Sequence, residues 1–197
     1  MQVEPVILSG KYVSLEPMRI GHWPSLCSIG LEESLWRWSP LKISNNDEMR
    51  EYVETAIADQ ERGTALPFVT IERTTGAIVG STRFANIDTI NRRAEIGWTW
   101  INPKWQRTYV NTEAKLLMLR HAFETWECIR VELKTDALNE ASRNAIRRLG
   151  AREEGVFRNH MITWNGRFRD SVYFSIIDSE WSAVQSKLAE RLELPPI

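Results

Sequence analysis

The feature that most constrains the fold is an alternation of strand and helix signals between Glu95 and Gly150. The first strand ends at a short loop that contains Pro103, and apolar residues then recur at helical spacing from about Thr108 to Trp126. Apolar and charged residues alternate from Ile129 to Thr135, and a second helix is predicted from about Asn139 to Leu149. This succession predicts an α+β fold with helices packed on a mixed sheet.

Signals on both sides of this unit extend the sheet. The first strand of the unit is predicted at Ala94–Ile101. Further strands are predicted at Lys11–Pro17, Phe68–Glu72, Ala77–Asn86, Val156–Trp164 and Arg167–Ile177. Further helices are predicted at 21–29, from Asn46 to Gly63 and at about 179–193. Asn165-Gly166 predicts a two-residue turn between the last two strands, because this pair tolerates positive φ angles. The expected order is β-α-α-β-β-β-α-β-α-β-β-α, with a mostly antiparallel sheet in a single domain over residues 1–197 and a core at about 8–181.

Composition excludes several classes of function. With 25 Lys and Arg against 26 Asp and Glu, the net charge is -1, so nucleic-acid binding over a broad basic face is not expected. Cys27 and Cys128 are too few for a disulfide scaffold, which favours a reduced, cytoplasmic protein. No apolar run reaches the ~20 residues that cross a bilayer, so no membrane contact is expected. A homo-oligomer stays possible.

The common catalytic motifs are missing from the sequence. It contains no phosphate-binding G-x-x-x-x-G-K-[ST] loop, no G-x-G-x-x-G after a strand and no G-x-S-x-G elbow. His121 and Glu124 could share one helix face, but two ligands do not complete a metal site, so no metal is predicted.

Weak motifs in a consistent order resemble the GNAT superfamily of N-acetyltransferases. They are Thr75-Gly76, Glu95-Ile96-Gly97-Trp98, Pro103, Gln106–Lys115 and Asn139–Gly150. A closing set is similar to the RimJ/RimL ribosomal-protein acetyltransferase branch: Glu154-Gly155-Val156, Asn165-Gly166-Arg167, Arg169-Asp170 and Glu180-Trp181. The resemblance implies the GNAT fold, in which two central strands splay apart, and acetyl-CoA as the acetyl donor.

Two segments of the chain suit such a donor. The pantetheine arm carries amides that pair with an open strand edge as an added strand would, and Trp98–Ile101 offers that edge, with Trp100 and Ile101 as predicted contacts. A pyrophosphate needs backbone N–H groups at a positive helix end. The residues predicted to supply them are Gln106, Arg107, Thr108, Tyr109, Val110, Asn111 and Thr112. The alternative is an ordinary capped helix, with Thr108 or Asn111 as its cap.

This loop departs from the superfamily pattern Q/R-x-x-G-x-G/A. Tyr109 and Asn111 stand where the pattern has glycine and then glycine or alanine. Side chains are tolerated there if the backbone is already helical, whereas a positive φ would weaken the grip on phosphate.

The helix that opens at Asn139 carries the next candidates. By resemblance, Asn139 contacts pantetheine and Ser142 lies near the sulfur, while the family's usual acidic tyrosine is replaced by Ile146. Ser142 is therefore the candidate for assisting thiol departure, although it could equally cap or pack. Arg148, later in the same helix, is a candidate contact for the nucleotide phosphates or a solvated surface residue.

The acceptor side is defined less well. Glu95 is the carboxylate on the strand that would face the thioester, and it is predicted either to collect the amine proton through a water or to form an ion pair with Arg92 or Arg93. Trp36 and Trp38 are expected either to wall the acceptor pocket, as the resemblance implies, or to cover the core.

The sequence thus predicts an acetyl-CoA-dependent N-acetyltransferase whose acceptor is a protein N-terminus or a small amine. The missing tyrosine and the altered glycines leave a second possibility, a non-catalytic sensor that binds acyl-CoA. A purely structural interaction module ranks third.

Overall fold

Alternating apolar side chains give the central sheet two faces that helices can cover. A computed structural model describes residues 1–193 as eight strands and five helices. The strands are β1 (Leu8–Ser9), β2 (Val13–Pro17), β3 (Leu66–Glu72), β4 (Ala77–Asp88), β5 (Arg93–Ile101), β6 (Arg130–Asp136), β7 (Arg152–Ile162) and β8 (Phe168–Ile177). The helices are α1 (Trp23–Gly30), α2 (Asn46–Glu61), α3 (Tyr109–Arg120), α4 (Glu140–Leu149) and α5 (Trp181–Glu193).

The strands form one mixed sheet in the order β1-β2-β3-β4-β5-β6-β8-β7. Every neighbouring pair is antiparallel except β5 and β6, which are parallel and joined through α3. That parallel pairing covers only Arg93–Glu95 against Arg130–Glu132. The α+β class, the mixed sheet and the predicted order of elements are confirmed, with the two-residue β1 as the element that the sequence pattern does not show.

Two buried clusters cover the two faces of the sheet. We call the first the α3 core, because its centre is the apolar stripe of α3 with Leu116 and Leu119, and α4 and α5 complete it. The second, the α2 core, joins α1 and α2 to the opposite face around Met49 and Val53. No helix within residues 1–193 is both long and apolar enough to cross a bilayer.

A buried carboxylate fixes α3 to the amino-terminal strands. Glu113 is 4% exposed, and its two oxygens accept hydrogen bonds from the backbone N–H groups of Lys11, Tyr12 and Val13 at 2.7, 2.7 and 2.6 Å. A Cβ at Gly10 would lie 2.5 Å from the Glu113 carboxyl carbon, so only glycine leaves room for the carboxylate there. The contact holds the first turns of α3 in place beside β2.

Several element boundaries differ from the predictions by two residues or more, and three of them change how an element begins or ends. The helix predicted to run to Trp126 leaves α geometry after Arg120 and continues as a wider π turn over His121–Thr125. β7 begins earlier than predicted, at Arg152. The carboxy-terminal helix begins at Trp181, after a short 3-10 turn.

The predicted two-residue hairpin turn is wrong. Gly166 has a φ of 81°, whereas Asn165 keeps a negative φ, so the turn is not the type in which both residues are left-handed. The Thr163 carbonyl accepts from the Gly166 N–H at 2.8 Å, and the Thr163 N–H donates to the Arg167 carbonyl at 2.9 Å. This pattern is a three-residue loop closed by a glycine in the left-handed region, which uses the same residues in a different register.

Candidate active site

A cleft opens between β5 and β6. After Glu95 and Glu132 the two strands share no further register pairs, although β5 continues to Ile101 and β6 to Asp136. β5 stays paired to β4 and β6 to β8 along these stretches, so each strand keeps only its cleft-facing edge unpaired. The open edge at Trp98–Ile101 is the one expected for a ligand that adds itself as a strand.

A bulge in β5 marks the point where the cleft opens. The register between β4 and β5 slips by one residue between Ser81 and Arg83, and Trp98 has a φ of 49°. A bulky residue in the left-handed region is strained, and a bulge twists a strand away from its neighbour. Gly97 and Trp98 therefore turn the backbone of β5 at the mouth of the cleft.

Glu95 lies beside this bulge and is 2% exposed. Its Oε2 accepts hydrogen bonds from Lys134 Nζ and from Asn86 Nδ2, each at 2.9 Å. Its Oε1 faces Gly97, where a Cβ would lie only 3.0 Å away, and it accepts no hydrogen bond from residues 1–193. One oxygen is thus anchored, and the other is open toward the bulge.

The predicted ion-pair partners of Glu95, Arg92 and Arg93, are wrong. Arg92 pairs with Glu127, and Arg93 pairs with Asp88 and Glu132. Lys134, which comes 39 residues after Glu95 on the next strand, takes that place. The parallel register brings the two side chains to one face of the sheet, which local sequence does not show.

The start of α3 has the geometry of an anion site. Thr108 is the N-cap, because its hydroxyl accepts from the Val110 N–H at 3.3 Å, and Arg107 before it has a φ of 62°. A helix start leaves its first N–H groups without intrahelical partners, and those of Tyr109 and Asn111 have no acceptor in residues 1–193. These amides point along the positive end of the helix.

The helical backbone of α3 accommodates both unusual residues of the loop. Tyr109 and Asn111 both lie within α3 and have negative φ angles, so the helical backbone tolerates their side chains. The Tyr109 ring stacks on Tyr12 with centroids 4.5 Å apart, and its hydroxyl donates to Glu72 Oε1 at 3.4 Å. The tyrosine therefore packs toward β2 and β3.

Gln106, at the start of the same loop, donates its side-chain amide N–H to the Ile101 carbonyl at 2.9 Å. This hydrogen bond connects the loop to the end of β5.

The start of α4 holds the next pair of candidates. Asn139 is the N-cap, and its Oδ1 accepts from the Ser142 N–H at 3.0 Å. The Ser142 side chain is half-buried, and its hydroxyl makes no hydrogen bond within residues 1–193. Ile146 is buried in the α3 core, whereas Arg148 is exposed and forms no ion pair in the described part of the chain.

On the face of the sheet that α1 and α2 cover, cations and aromatic rings lie near the mouth of the cleft. Lys134 Nζ lies 5.7 Å from the ring centroids of both Trp98 and Tyr173. The Arg83 guanidinium lies between Tyr52 and Trp98, 5.1 and 5.2 Å from their centroids. This wall of aromatic and basic side chains faces Glu95 and is the candidate acceptor side.

The two tryptophans predicted for this wall have different positions. Trp36 is 3% exposed, packs 5.7 Å from Trp100 and donates to the Gly30 carbonyl, so it belongs to the α2 core. Trp38 is half-buried, and the Arg167 guanidinium lies 5.8 Å from its ring. Only Trp38 reaches the β8 side of the sheet.

Sequence reasoning missed Lys134, Asn86, Lys115 and Thr99, all of which contact Glu95 or the cleft strand. Lys115 carries a signal that could have been noticed, because it is a charged residue within the most apolar part of α3, whereas Lys134 occupies a regular polar position in the alternation of β6. Such residues are usually solvated, so only their burial distinguishes them.

Residues 13–152 match the sequence profile of the acetyltransferase (GNAT) domain family. The chain belongs to that family of acetyltransferases. YdaF of Bacillus subtilis (strain 168), provisionally named a ribosomal N-acetyltransferase, is 36% identical over 106 residues, 54% of this chain. The chain spans only 57% of the length of YdaF.

Solved structures agree with this membership. A GCN5-related N-acetyltransferase from Brucella melitensis superposes with a TM-score of 0.89 at 31% identity, covering 96% of this chain and 86% of the other. A Salmonella typhimurium acetyltransferase that modifies the N-terminal serine of ribosomal protein L7/L12 has a TM-score of 0.78 at 22% identity, covering 87% and 99%. At that identity the second match shows the fold alone. The resemblance in the sequence is confirmed as GNAT membership.

Proposed function

We propose that this GNAT acetyltransferase moves an acetyl group from acetyl-CoA to a primary amine by direct attack, without a covalent enzyme intermediate. The observation that carries the proposal is the coincidence of three features at one cleft. The edge of β5 is open beyond Glu95, the α3 start presents free N–H groups, and Glu95 Oε1 is open at the bulge. We also propose that residues 1–197 act as one domain, since one sheet runs from β1 to β8.

The residues present fit acetyl-CoA. The N–H groups of Tyr109 and Asn111 would hold its pyrophosphate, with Arg107 adding positive charge beside them. The open edge of β5 at Trp100 and Ile101 would pair with the pantetheine amides. The side-chain NH2 group of Asn139 would donate a hydrogen bond to pantetheine, because the Oδ1 of this side chain already caps α4. When bound, acetyl-CoA supplies an activated thioester.

Glu95 is the proposed base. Lys134 and Asn86 hold the carboxylate at Oε2, so the free Oε1 keeps a fixed direction toward the bulge. An oxygen in that position can accept a proton from the acceptor's ammonium group, directly or through a water, and so leave the neutral amine that attacks the thioester.

The acceptor we propose first is a protein N-terminal α-amine. An α-amine has an ordinary pKa near 8, well below that of lysine, so a weak base is sufficient to deprotonate it. YdaF carries a ribosomal N-acetyltransferase name, and the Salmonella typhimurium enzyme modifies an N-terminal serine. The wall formed by Trp98, Lys134 and Tyr173 suits a peptide backbone with its carbonyl groups. A small amine is the second choice.

The function is tested by incubating the protein with acetyl-CoA and a panel of peptides and small amines, with thiol release and mass spectrometry as readouts. We expect one acceptor to gain the mass of a single acetyl group at its amine. Thiol should be released only when that acceptor is present. Binding of acetyl-CoA without transfer to any acceptor would instead favour the sensor, for which the buried Ile146 in place of a tyrosine is the supporting observation.

Acetyl-CoA itself should stabilise the protein. A ligand at about 100 times its dissociation constant adds roughly 2.7 kcal/mol to the free energy of unfolding, which raises the melting temperature by about 5 to 10 °C for a chain of this size. Differential scanning fluorimetry with millimolar acetyl-CoA measures the shift. An Arg107→Ala variant should show a smaller one, and an unchanged melting temperature in the wild type would contradict acetyl-CoA binding.

Ser142 is the proposed group near the departing sulfur. Its half-buried hydroxyl has no partner in residues 1–193 and lies in the first turn of α4, where the positive helix end favours a developing thiolate. We expect Ser142→Ala to lower the rate of acetyl transfer about tenfold or more, with acetyl-CoA binding preserved. Ala141, exposed on the same turn, offers the matched control Ala141→Ser. Unchanged turnover in Ser142→Ala would remove the assignment.

A further inference from the structure

A lysine is buried beneath the strand edge that faces the cleft. Lys115 on α3 is 4% exposed, and its Nζ donates to Thr99 Oγ1 at 2.6 Å and to Thr82 Oγ1 at 3.0 Å. It forms no ion pair within residues 1–193. Thr99, in contrast, is exposed and lies on β5 beyond the point where β5 and β6 separate. The buried amine is therefore one hydrogen bond from the cleft.

No charged group in the described elements around Lys115 neutralises it. On α3 itself, Glu113 is turned to the amides of β2 and of the loop before it. β4 and β5 present the two threonine hydroxyls, and Glu95 of β5 lies on the other face of the sheet, paired with Lys134. Beside Thr82 lies the uncharged Met118 thioether, and the His121 ring after α3 lies between Phe84 and Trp126.

Burial without a counter-charge changes how readily Lys115 loses its proton. Desolvation lowers its pKa from 10.5 to about 7. The amine is therefore divided between charged and neutral forms near neutral pH.

The two forms orient the Thr99 hydroxyl differently. Charged Lys115 can only donate, so both threonine oxygens act as acceptors toward it. Thr82 and Thr99 are 2.8 Å apart, and if Thr82 donates to Thr99, the Thr99 hydrogen is left for the Gly97 carbonyl at 3.4 Å or for a better placed acceptor in the cleft. Neutral Lys115 has a lone pair instead, and at 2.6 Å Thr99 is its nearest donor. The Thr99 hydrogen is then drawn inward.

We infer that Lys115 is a positioning residue that acts through Thr99: its charged form directs the Thr99 O–H group outward to donate to a carbonyl of the acyl carrier in the cleft. The inference rests on the proposed use of acetyl-CoA. A carbonyl that accepts from Thr99 favours the charged form of Lys115, so binding of acetyl-CoA takes up a proton. The affinity then falls as the pH rises above 7.

Calorimetry of acetyl-CoA binding at pH 7, 8 and 9, in two buffers of different ionisation enthalpy, measures both effects. If binding raises the pKa of Lys115 by about one unit, the dissociation constant rises about fivefold from pH 7 to pH 9, with uptake of about half a proton near pH 7.5. The histidine and cysteine side chains do not share this window. Desolvation lowers the pKa values of His22, His121 and His160 and raises those of Cys27 and Cys128.

Variants separate the hydroxyl from a general charge effect. Lys115→Met and Thr99→Val should both lose the proton uptake and the pH dependence, while Thr99→Ser, which keeps the hydroxyl, should retain them. Lys187→Met, on the exposed face of α5, is the matched control and should behave as the wild type. Circular dichroism confirms that each variant folds.

A second ligand separates the pH dependence that comes from Thr99 from any that comes from the phosphate groups. Adenosine 3′,5′-bisphosphate has phosphates for the α3 start but no pantetheine to reach Thr99, so its affinity should be nearly constant from pH 7 to pH 9. Equal pH dependence for both ligands, or for Thr99→Val and wild type, would overturn the inference. No binding of acetyl-CoA at any pH would instead overturn the proposed function.

Discussion

Replacing Glu95 by glutamine should lower the rate of acetyl transfer by about 100-fold or more while leaving acetyl-CoA binding intact. Glutamine keeps the shape and can still accept from Lys134, but its remaining amide atom cannot take a proton from the amine. The loss should appear in the turnover number, because the acceptor and acetyl-CoA are still bound. Steady-state kinetics across pH 6 to 9 with the best acceptor of the panel measures it.

A matched control for this change exists on the neighbouring strand. Glu132 is the register partner of Glu95 across the β5–β6 pair and is held by Arg130 at 2.9 Å, away from the bulge. Glu132→Gln should retain most of the activity. A Glu95→Gln protein with the wild-type rate and pH profile would show that Glu95 is a structural ion-pair partner and that water or another group collects the proton.

Removal of the Glu113 carboxylate should cause the largest loss of stability among the substitutions considered. Glu113→Ala leaves three backbone N–H groups without acceptors: those of Lys11 and Tyr12, which are half-buried, and that of Val13, which is buried. A buried donor without a partner costs about 1 to 3 kcal/mol and a half-buried one costs less, so we expect the free energy of unfolding to fall by about 2 to 4 kcal/mol. Urea denaturation followed by tryptophan fluorescence measures the loss.

Two further variants test the reason for that loss. Glu113→Gln keeps one acceptor oxygen but turns an NH2 group toward backbone donors, so its stability should lie between those of the wild type and Glu113→Ala. Glu54→Ala removes an exposed carboxylate whose partner is Arg50 on the same helix, and it should cost less than about 1 kcal/mol. If Glu113→Ala were as stable as Glu54→Ala, the anchoring of α3 would have another source.

Local pattern predicts most of the fold because the periods of helix and strand are written in short stretches of sequence. The charged and apolar alternation of β6 and the apolar stripe of α3 place these elements, and the loop after Pro103 indicates where α3 begins. Thr108 was one of two caps that the sequence allowed, and the structure selects it. Boundaries such as the end of α3 at Arg120 depend on packing and are less well predicted.

The length of the β7–β8 hairpin loop and the ion-pair partner of Glu95 show why some features cannot be predicted from neighbouring residues. Asn165-Gly166 favours a turn, but whether two or three residues form it depends on the register between β7 and β8, which their whole length sets. Likewise, a carboxylate preceded closely along the chain by Arg92 and Arg93 suggests a local ion pair. Arg93 shares a face of β5 with Glu95 but pairs with Asp88 and Glu132, and the sheet brings Lys134 to Glu95 from the adjacent strand.

The amino-acid order alone determined the types and succession of the elements, the helix start that offers amides to an anion, and the likeness to the GNAT acetyltransferases. Folding in three dimensions decided where β5 leaves β6, which cation holds Glu95, and that Lys115 lies without a counter-charge behind Thr99. The reason is physical. Periodicity is a property of neighbouring residues, whereas strand separation, ion pairing and desolvation depend on groups that only the completed sheet and its packed helices bring together.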